Sequence, residues 1–150
     1  MKKISALLFA LGLALSASAQ TKMLLNLDKA GVAIQGYDPV AFFTDHHPVK
    51  GKVEFVSMFN GATYQFASQE HKDRFDKEPA KYEPAFGGYC AYGVCHDKLA
   101  PVDVDAFIIL DGKLLMQYSK SIRANFNQDQ KGNLSKANEN WPGLVEKKGK

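Results

Sequence analysis

Two dipeptides set most of what this chain can fold into. Asn60–Gly61 and Asp111–Gly112 are each flanked by apolar runs, and both residues of such a pair accept the left-handed conformation that a two-residue hairpin turn demands. One hairpin is predicted over Lys52–Phe66, and a second joins Phe107–Leu110 to Lys113–Tyr118. In the first, Thr63–Tyr64–Gln65–Phe66 alternates, which puts Tyr64 and Phe66 on one face. Ser68 then caps a helix with Glu70 in its first turn, and the helix runs until Pro79. His71 and Phe75 are four residues apart and share a face of it. After the second hairpin, Ser119 or Ser121 starts a helix through Ile122, Arg123 and Phe126. Gly132–Asn133 reads as its break, and a last short helix carries Leu134, Ala137 and Asn140. Trp141–Pro142–Gly143 then ends the ordered chain, with residues 146–150 as a frayed tail.

Nearer the start, Gly31–Gln35 reads as a short strand and Gly36–Tyr37–Asp38–Pro39 as a turn. Val40–Phe43 reads as a buried strand or an irregular core segment. The mixed order of strands and helices predicts an α+β fold: a small, mostly antiparallel sheet with two hairpins, packed against short helices. No internal repeat and no low-complexity segment is visible.

Residues 1–19 belong to a different argument. Met1–Lys2–Lys3 is a short positive region, Ile4–Ser16 an apolar run, and Ala17–Ser18–Ala19 a small-residue end. That pattern is a secretory signal peptide cleaved before Gln20. The apolar run falls short of the about 20 residues a membrane span needs, so no stable membrane insertion is expected after cleavage. The expected location is the periplasm. The leader holds two of the 19 basic residues and none of the 16 acidic ones, leaving 17 against 16. A net charge near +1 gives a nucleic-acid-binding stripe no basis. What remains is residues 20–145 as one domain with a small tail.

The segment Gly87–Gly88–Tyr89–Cys90–Ala91–Tyr92–Gly93–Val94–Cys95–His96 concentrates the chemistry. Its cysteines are five apart, which fits neither a structural zinc pair nor a Cys-x-x-Cys redox motif. On a regular helix they would point about 140° apart, poor geometry for a disulfide, although Gly93 weakens such a helix. Three fates stay open: a disulfide stapling the loop, a metal or redox site, or two buried free thiols. A metal site would draw on Cys90, Cys95 and His96, with His71 or the His46–His47 pair brought in by the fold. Thiolate with imidazole favours copper(I) or zinc. Tyr37, Asp38, Tyr64, Gly87, Gly88, Tyr89 and Tyr92 are the candidates for lining a cleft, and Asp38 or Glu83 could serve there as acid or base. No G-x-G-x-x-G, G-x-S-x-G or H-E-x-x-H motif occurs.

Several stretches in order resemble the YHS-domain family, and more closely its secreted single-domain bacterial branch. They are G-Y-D-P-V-A-F-F at 36–43, N-G-A-T-Y-Q-F-A-S at 60–68, F-D-K-E-P-A-K-Y at 75–82 and G-G-Y-C-A-Y-G-V at 87–94. D-G-K-L-L-M-Q-Y-S-K at 111–120 and N-L-S-K-A-N-E-N-W-P at 133–142 continue the likeness. The resemblance implies heavy-metal handling, since such domains occur beside copper-transport modules and in some multicomponent oxygenases. It also implies a departure: where metal-linked members carry F-C-S-x-x-C, this chain has Phe66–Ala67–Ser68 and then His71. Three readings follow. The first is a periplasmic accessory domain that binds copper or zinc through the Cys/His set. The second is a domain for a small ligand or a protein partner, with Cys90–Cys95 as a staple. The third is a thiol oxidoreductase, which the cysteine spacing disfavours; an enzyme is the less favoured outcome.

Overall fold

The computed structural model describes residues 21–150, so the expected signal peptide lies outside the described residues. The elements are α1 (Ala41–Thr44), β1 (Lys52–Phe59), β2 (Ala62–Phe66), α2 (Gln69–Lys77), α3 (Pro79–Tyr82), α4 (Ala91–Cys95), β3 (Asp103–Leu110), β4 (Lys113–Gln117), α5 (Lys120–Asn127) and α6 (Gln130–Lys148). The fold is α+β as expected, with the two hairpins as separate two-stranded antiparallel sheets. Isolated parallel bridges, Val32 to Thr63 and Pro84 to Leu114, lay a connecting segment along each.

Both turns form as their residues require. Asn60 and Gly61 have φ of 47° and 80°, and Asp111 and Gly112 have 50° and 73°, the conformation that favours Asn, Asp and Gly. Ser68 and Ser119 are true caps: each hydroxyl oxygen accepts from the backbone N–H three residues on, His71 and Ile122, at 3.2 Å.

The two halves prove to be one design used twice. β1 and β3, β2 and β4, and the capping serines are each separated by an offset of 51 residues. The strand irregularities match as well: Lys52 pairs with Phe66 and Val56 with Gln65, while Asp103 pairs with Gln117 and Phe107 with Met116. Phe75 and Phe126, again 51 apart, are both core residues. The absence of a repeat expected from the sequence is therefore corrected: the repeat lives in turns, caps and one phenylalanine, with little else in common.

Burial explains how the halves join. Leu114 and Met116 pack in one core cluster with Phe42, Phe66, Phe75 and Tyr82. Leu115 points the other way, into a second cluster with Phe86, Val94, Phe126 and Leu144. Strand alternation sends neighbours to opposite faces, so a continuous Leu–Leu–Met run marks a strand buried on both.

Four expectations change. Val40–Phe43 is helical rather than extended, because Asp38 Oδ1 accepts from Val40 N at 2.8 Å and Ala41 N at 3.3 Å and so starts α1. Gly31–Gln35 forms only single bridges and a 3-10 turn at Ile34–Gly36. Gly132 does not break a helix; it lies in the first turn of α6, where Asp129 Oδ1 accepts from its N–H at 3.0 Å. A Cβ there would lie 2.1 Å from Asp129 Oδ2, so glycine admits the cap. Finally α6, the longest helix among the described residues, continues through Pro142 to Lys148. An interior proline costs about 3 kcal/mol, which burial of Leu144 at about 2 kcal/mol and the packing of Trp141 and Val145 offset. The tail is tied down: Met23 and Lys150 exchange backbone hydrogen bonds at 2.9 Å, and Lys22 pairs with Glu146 at 2.6 Å.

Candidate functional site

Three places hold the residues singled out by sequence. The first is a knot around Asp38, which is fully buried. Besides capping α1, its carboxylate accepts through Oδ2 from Ala67 N at 2.8 Å and from His71 Nδ1 at 2.7 Å. A carboxylate only accepts, so Nδ1 carries the proton and the imidazole is held in one orientation. Four donors converge on two oxygens and tie the 36–39 turn to the start of α2.

The second place is a shallow, mainly apolar hollow of about 310 Å³ lined by Cys90, Tyr92, His96, Tyr118 and Ile122 among others. Cys90 stands in the second half where Asp38 stands in the first, in Gly88–Tyr89–Cys90 against Gly36–Tyr37–Asp38. Its Sγ accepts from Gly93 N at 3.4 Å and from Tyr118 N at 3.2 Å, and its thiol faces Gln117 Oε1 at 3.5 Å. Tyr118 N is the counterpart of Ala67 N, 51 residues earlier. Cys95, at the far end of α4, turns instead to Asn133 Oδ1 at 3.4 Å. Both cysteines are free and buried, so the stapling disulfide expected as one alternative is absent. Burial, with Asp129 adding and Lys136 opposing, pushes the Cys95 thiol up, which lowers its thiolate fraction and disfavours redox chemistry there. His96 packs edge-on against the Tyr92 ring, centroids 4.6 Å apart.

The third is a cleft of about 350 Å³ where the two halves meet. One wall is the N-terminal strap Lys22–Leu25, another runs from Ala80 in α3 to Gly87 before α4, and Asn60, Tyr64, Lys113, Trp141 and Val145 complete it. Gly87 lets the strap close down. Its φ is +58°, and a Cβ there would fall 1.9 Å from Leu24 O. The strap is then fixed by Asn26 N to Gly87 O at 2.8 Å, Asn26 Nδ2 to Gly88 O at 3.1 Å and Tyr89 Oη to Leu25 O at 3.3 Å. Inside, Asn60 Nδ2 donates to Glu83 Oε2 at 3.3 Å. Burial pushes the Glu83 carboxyl up against the opposing pull of Asn60 and Lys113, and burial with the Glu83 charge pushes the Tyr64 phenol up. Tyr64 is only 2% exposed and lines the cleft.

Residues 40–85 match the family model described as the YHS domain. That stretch is similar to the YHS domain. Neither the curated proteins nor the solved structures give a significant match. The matched YHS segment spans α1 to α3, so it is the first of the two repeated units with its following turn; the second lies beyond it.

YHS domains are associated with metal handling, copper in particular. The residues of this chain do not fit a centre with three or more protein ligands. Among the described residues no three of His, Cys, Asp and Glu come together. His71 gives Nδ1 to Asp38, while Cys90 and His96 share the hollow and Cys95 faces α6. Of the expected cleft residues, Tyr64 and Gly87 do line the cleft; Gly88 and Tyr89 hold its strap. Tyr92 belongs to the hollow, and Tyr37 lies beneath the Lys50 ammonium at 4.5 Å. Sequence reasoning missed Lys22, Asn60, Lys81, Lys113 and Trp141 as wall residues. No local signal marks them, because they converge only through the packing of one half on the other.

Proposed function

We propose that this chain is an exported ligand-binding domain, located in the periplasm after cleavage before Gln20, and that the cleft between its halves is the binding site. The observation carrying this reading is the meeting of Asn60, Tyr64, Glu83 and Lys113 with the apolar Leu24, Phe86 and Trp141 around one cleft of about 350 Å³. Small-molecule sites favour junctions between structural units and volumes of about 300–1,000 Å³. The finer metal reading, copper or zinc held by Cys90, Cys95, His96 and His71, has weaker support because these donors face different partners.

The test is a titration of the mature chain, residues 20–150, followed by amide chemical shifts. A set of soluble metabolite-sized fragments is expected to move the amides of Asn60, Lys81, Gly87 and Lys113 and the Trp141 indole. Copper(I) and zinc(II), added to the reduced protein against a chelating indicator, are expected to show no stoichiometric binding. Tight metal uptake lost in Cys90→Ala, with shifts confined to Gly93, His96 and Lys98, would transfer the function to the hollow.

A further inference from the structure

We infer that the cleft takes a small hydroxylated organic acid with an apolar body, an inference that rests on the cleft being the binding site. Charge selects the acid. The walls bring Lys22, Lys81 and Lys113 against a single carboxylate, Glu83. Lys22 is bound to Glu146 at 2.6 Å, whereas Lys81 is held more loosely, by Glu78 at 3.7 Å and the Tyr82 ring at 5.2 Å. Lys113 has no ion-pair partner among the described residues. Two ammonium groups therefore stand available to an anion, and a cationic ligand would be repelled.

The inner groups select the hydroxyl. Asn60 gives Nδ2 to Glu83, which leaves its own Oδ1 as an acceptor. Glu83 has this one hydrogen bond and is otherwise an acceptor short of donors. Tyr64 contributes an oxygen that can donate or accept. A ligand hydroxyl meets both needs at once, donating to Glu83 or Asn60 while accepting from Tyr64. The desolvation that pushes the Glu83 carboxyl up makes a donor there more valuable, since hydrogen bonds to a partly buried charge are the stronger ones.

The rest of the wall selects the body. Leu24, Val145 and the edge-to-face pair Phe86–Trp141, centroids 5.7 Å apart, offer an apolar surface. At about 350 Å³ the space suits a molecule of one ring or its aliphatic equivalent.

Trp141 is the one tryptophan of the chain, so its fluorescence reports on this wall directly. The mature protein would be titrated with 4-hydroxybenzoate and mandelate, and with benzoate, phenol and inorganic phosphate as controls. The hydroxy acids are expected to change the emission saturably and to bind about tenfold tighter than benzoate or phenol. Tyr64→Phe should remove that advantage while leaving benzoate unchanged, and Glu83→Gln should reduce it. Lys113→Gln should weaken the acids but not phenol. Matching melting curves would establish that each variant is folded, and Glu83→Gln keeps the test open should Tyr64→Phe not fold. Benzoate equal to 4-hydroxybenzoate, phosphate as tight as either, or no response to both hydroxy acids would overturn the inference. If phenol or other neutral fragments still bind at Trp141, the ligand class alone has failed. If every fragment leaves the cleft amides and Trp141 unmoved, the cleft reading fails with it.

Discussion

Asp38 shows how much one side chain can organise. Its four hydrogen bonds join a turn, the start of α1, the end of β2 and the start of α2. Asp38→Ala would leave three backbone N–H groups without their acceptor, two of them on buried residues. At about 1–3 kcal/mol per buried orphan, partly relieved by water, a loss of about 3 kcal/mol is expected in urea unfolding at neutral pH. Asp38→Asn should lose less, because one amide oxygen can still accept. Glu83 contributes in the opposite sense. Its folded-state pKa lies above the ordinary glutamate value of 4.5, chiefly through burial. A carboxyl so shifted stabilises the fold fully below 4.5, and that contribution is lost as pH rises through the folded value. Wild type should therefore lose stability relative to Glu83→Gln on going upward from pH 4.5, with the difference constant once Glu83 is fully ionised. Denaturant midpoints measured across this range check it. Tyr64 and Phe66 were legible as one buried face because strand alternation is a local rule. Asp38 was legible only as a turn residue, since its partners at 67 and 71 are 29 and 33 positions away.

Elements were legible wherever their ends carry their own chemistry. Both hairpins and both serine caps follow from two or three adjacent residues. The 40–43 segment did not, because an apolar run has no period to read and its helix is started by Asp38. Gly132 was misleading for the reverse reason: a glycine usually weakens a helix, and here it makes room for the Asp129 cap. The strap depends on a similar allowance. Gly87→Ala places a methyl against the Leu24 carbonyl and forces a left-handed conformation on alanine, at a cost of about 2 kcal/mol or more. The expected result is a lower melting temperature, with faster hydrogen exchange at Asn26, whose N–H is held by the Gly87 carbonyl. Gly112, also left-handed but with open space around it, is the comparison; the conformational strain is shared, and only Gly87→Ala should disturb the strap.

At the scale of the molecule, the repeat was invisible because its two copies share positions rather than residues. Asn–Gly answers Asp–Gly, serine answers serine and Phe75 answers Phe126, while Asp38 is answered by a thiol and His71 by Ile122. The polar knot of the first half has thus become an apolar hollow in the second. The four proposed metal donors were drawn from both halves, and packing leaves only Cys90 and His96 beside one hollow. Cys90 and Cys95 sit within the second half among packed neighbours, so neither should react until the fold opens. Alkylation by iodoacetamide in increasing urea should follow the loss of Trp141 fluorescence, with both thiols reacting together. Rapid modification of Cys90 in native protein would mean that the hollow opens locally.

The antiparallel exchange between Met23 and Lys150 brings the entrance and exit of the fold to one point, because residues paired in this way lie about 5.5 Å apart. A domain whose two ends coincide can be spliced into a surface loop of a host protein without stretching either. The same closeness lets a short linker join the old ends while new ones are cut at the exposed Asp111–Gly112 turn. Such a permuted chain would keep every wall of the cleft and would turn the order of its two halves into an experimental variable.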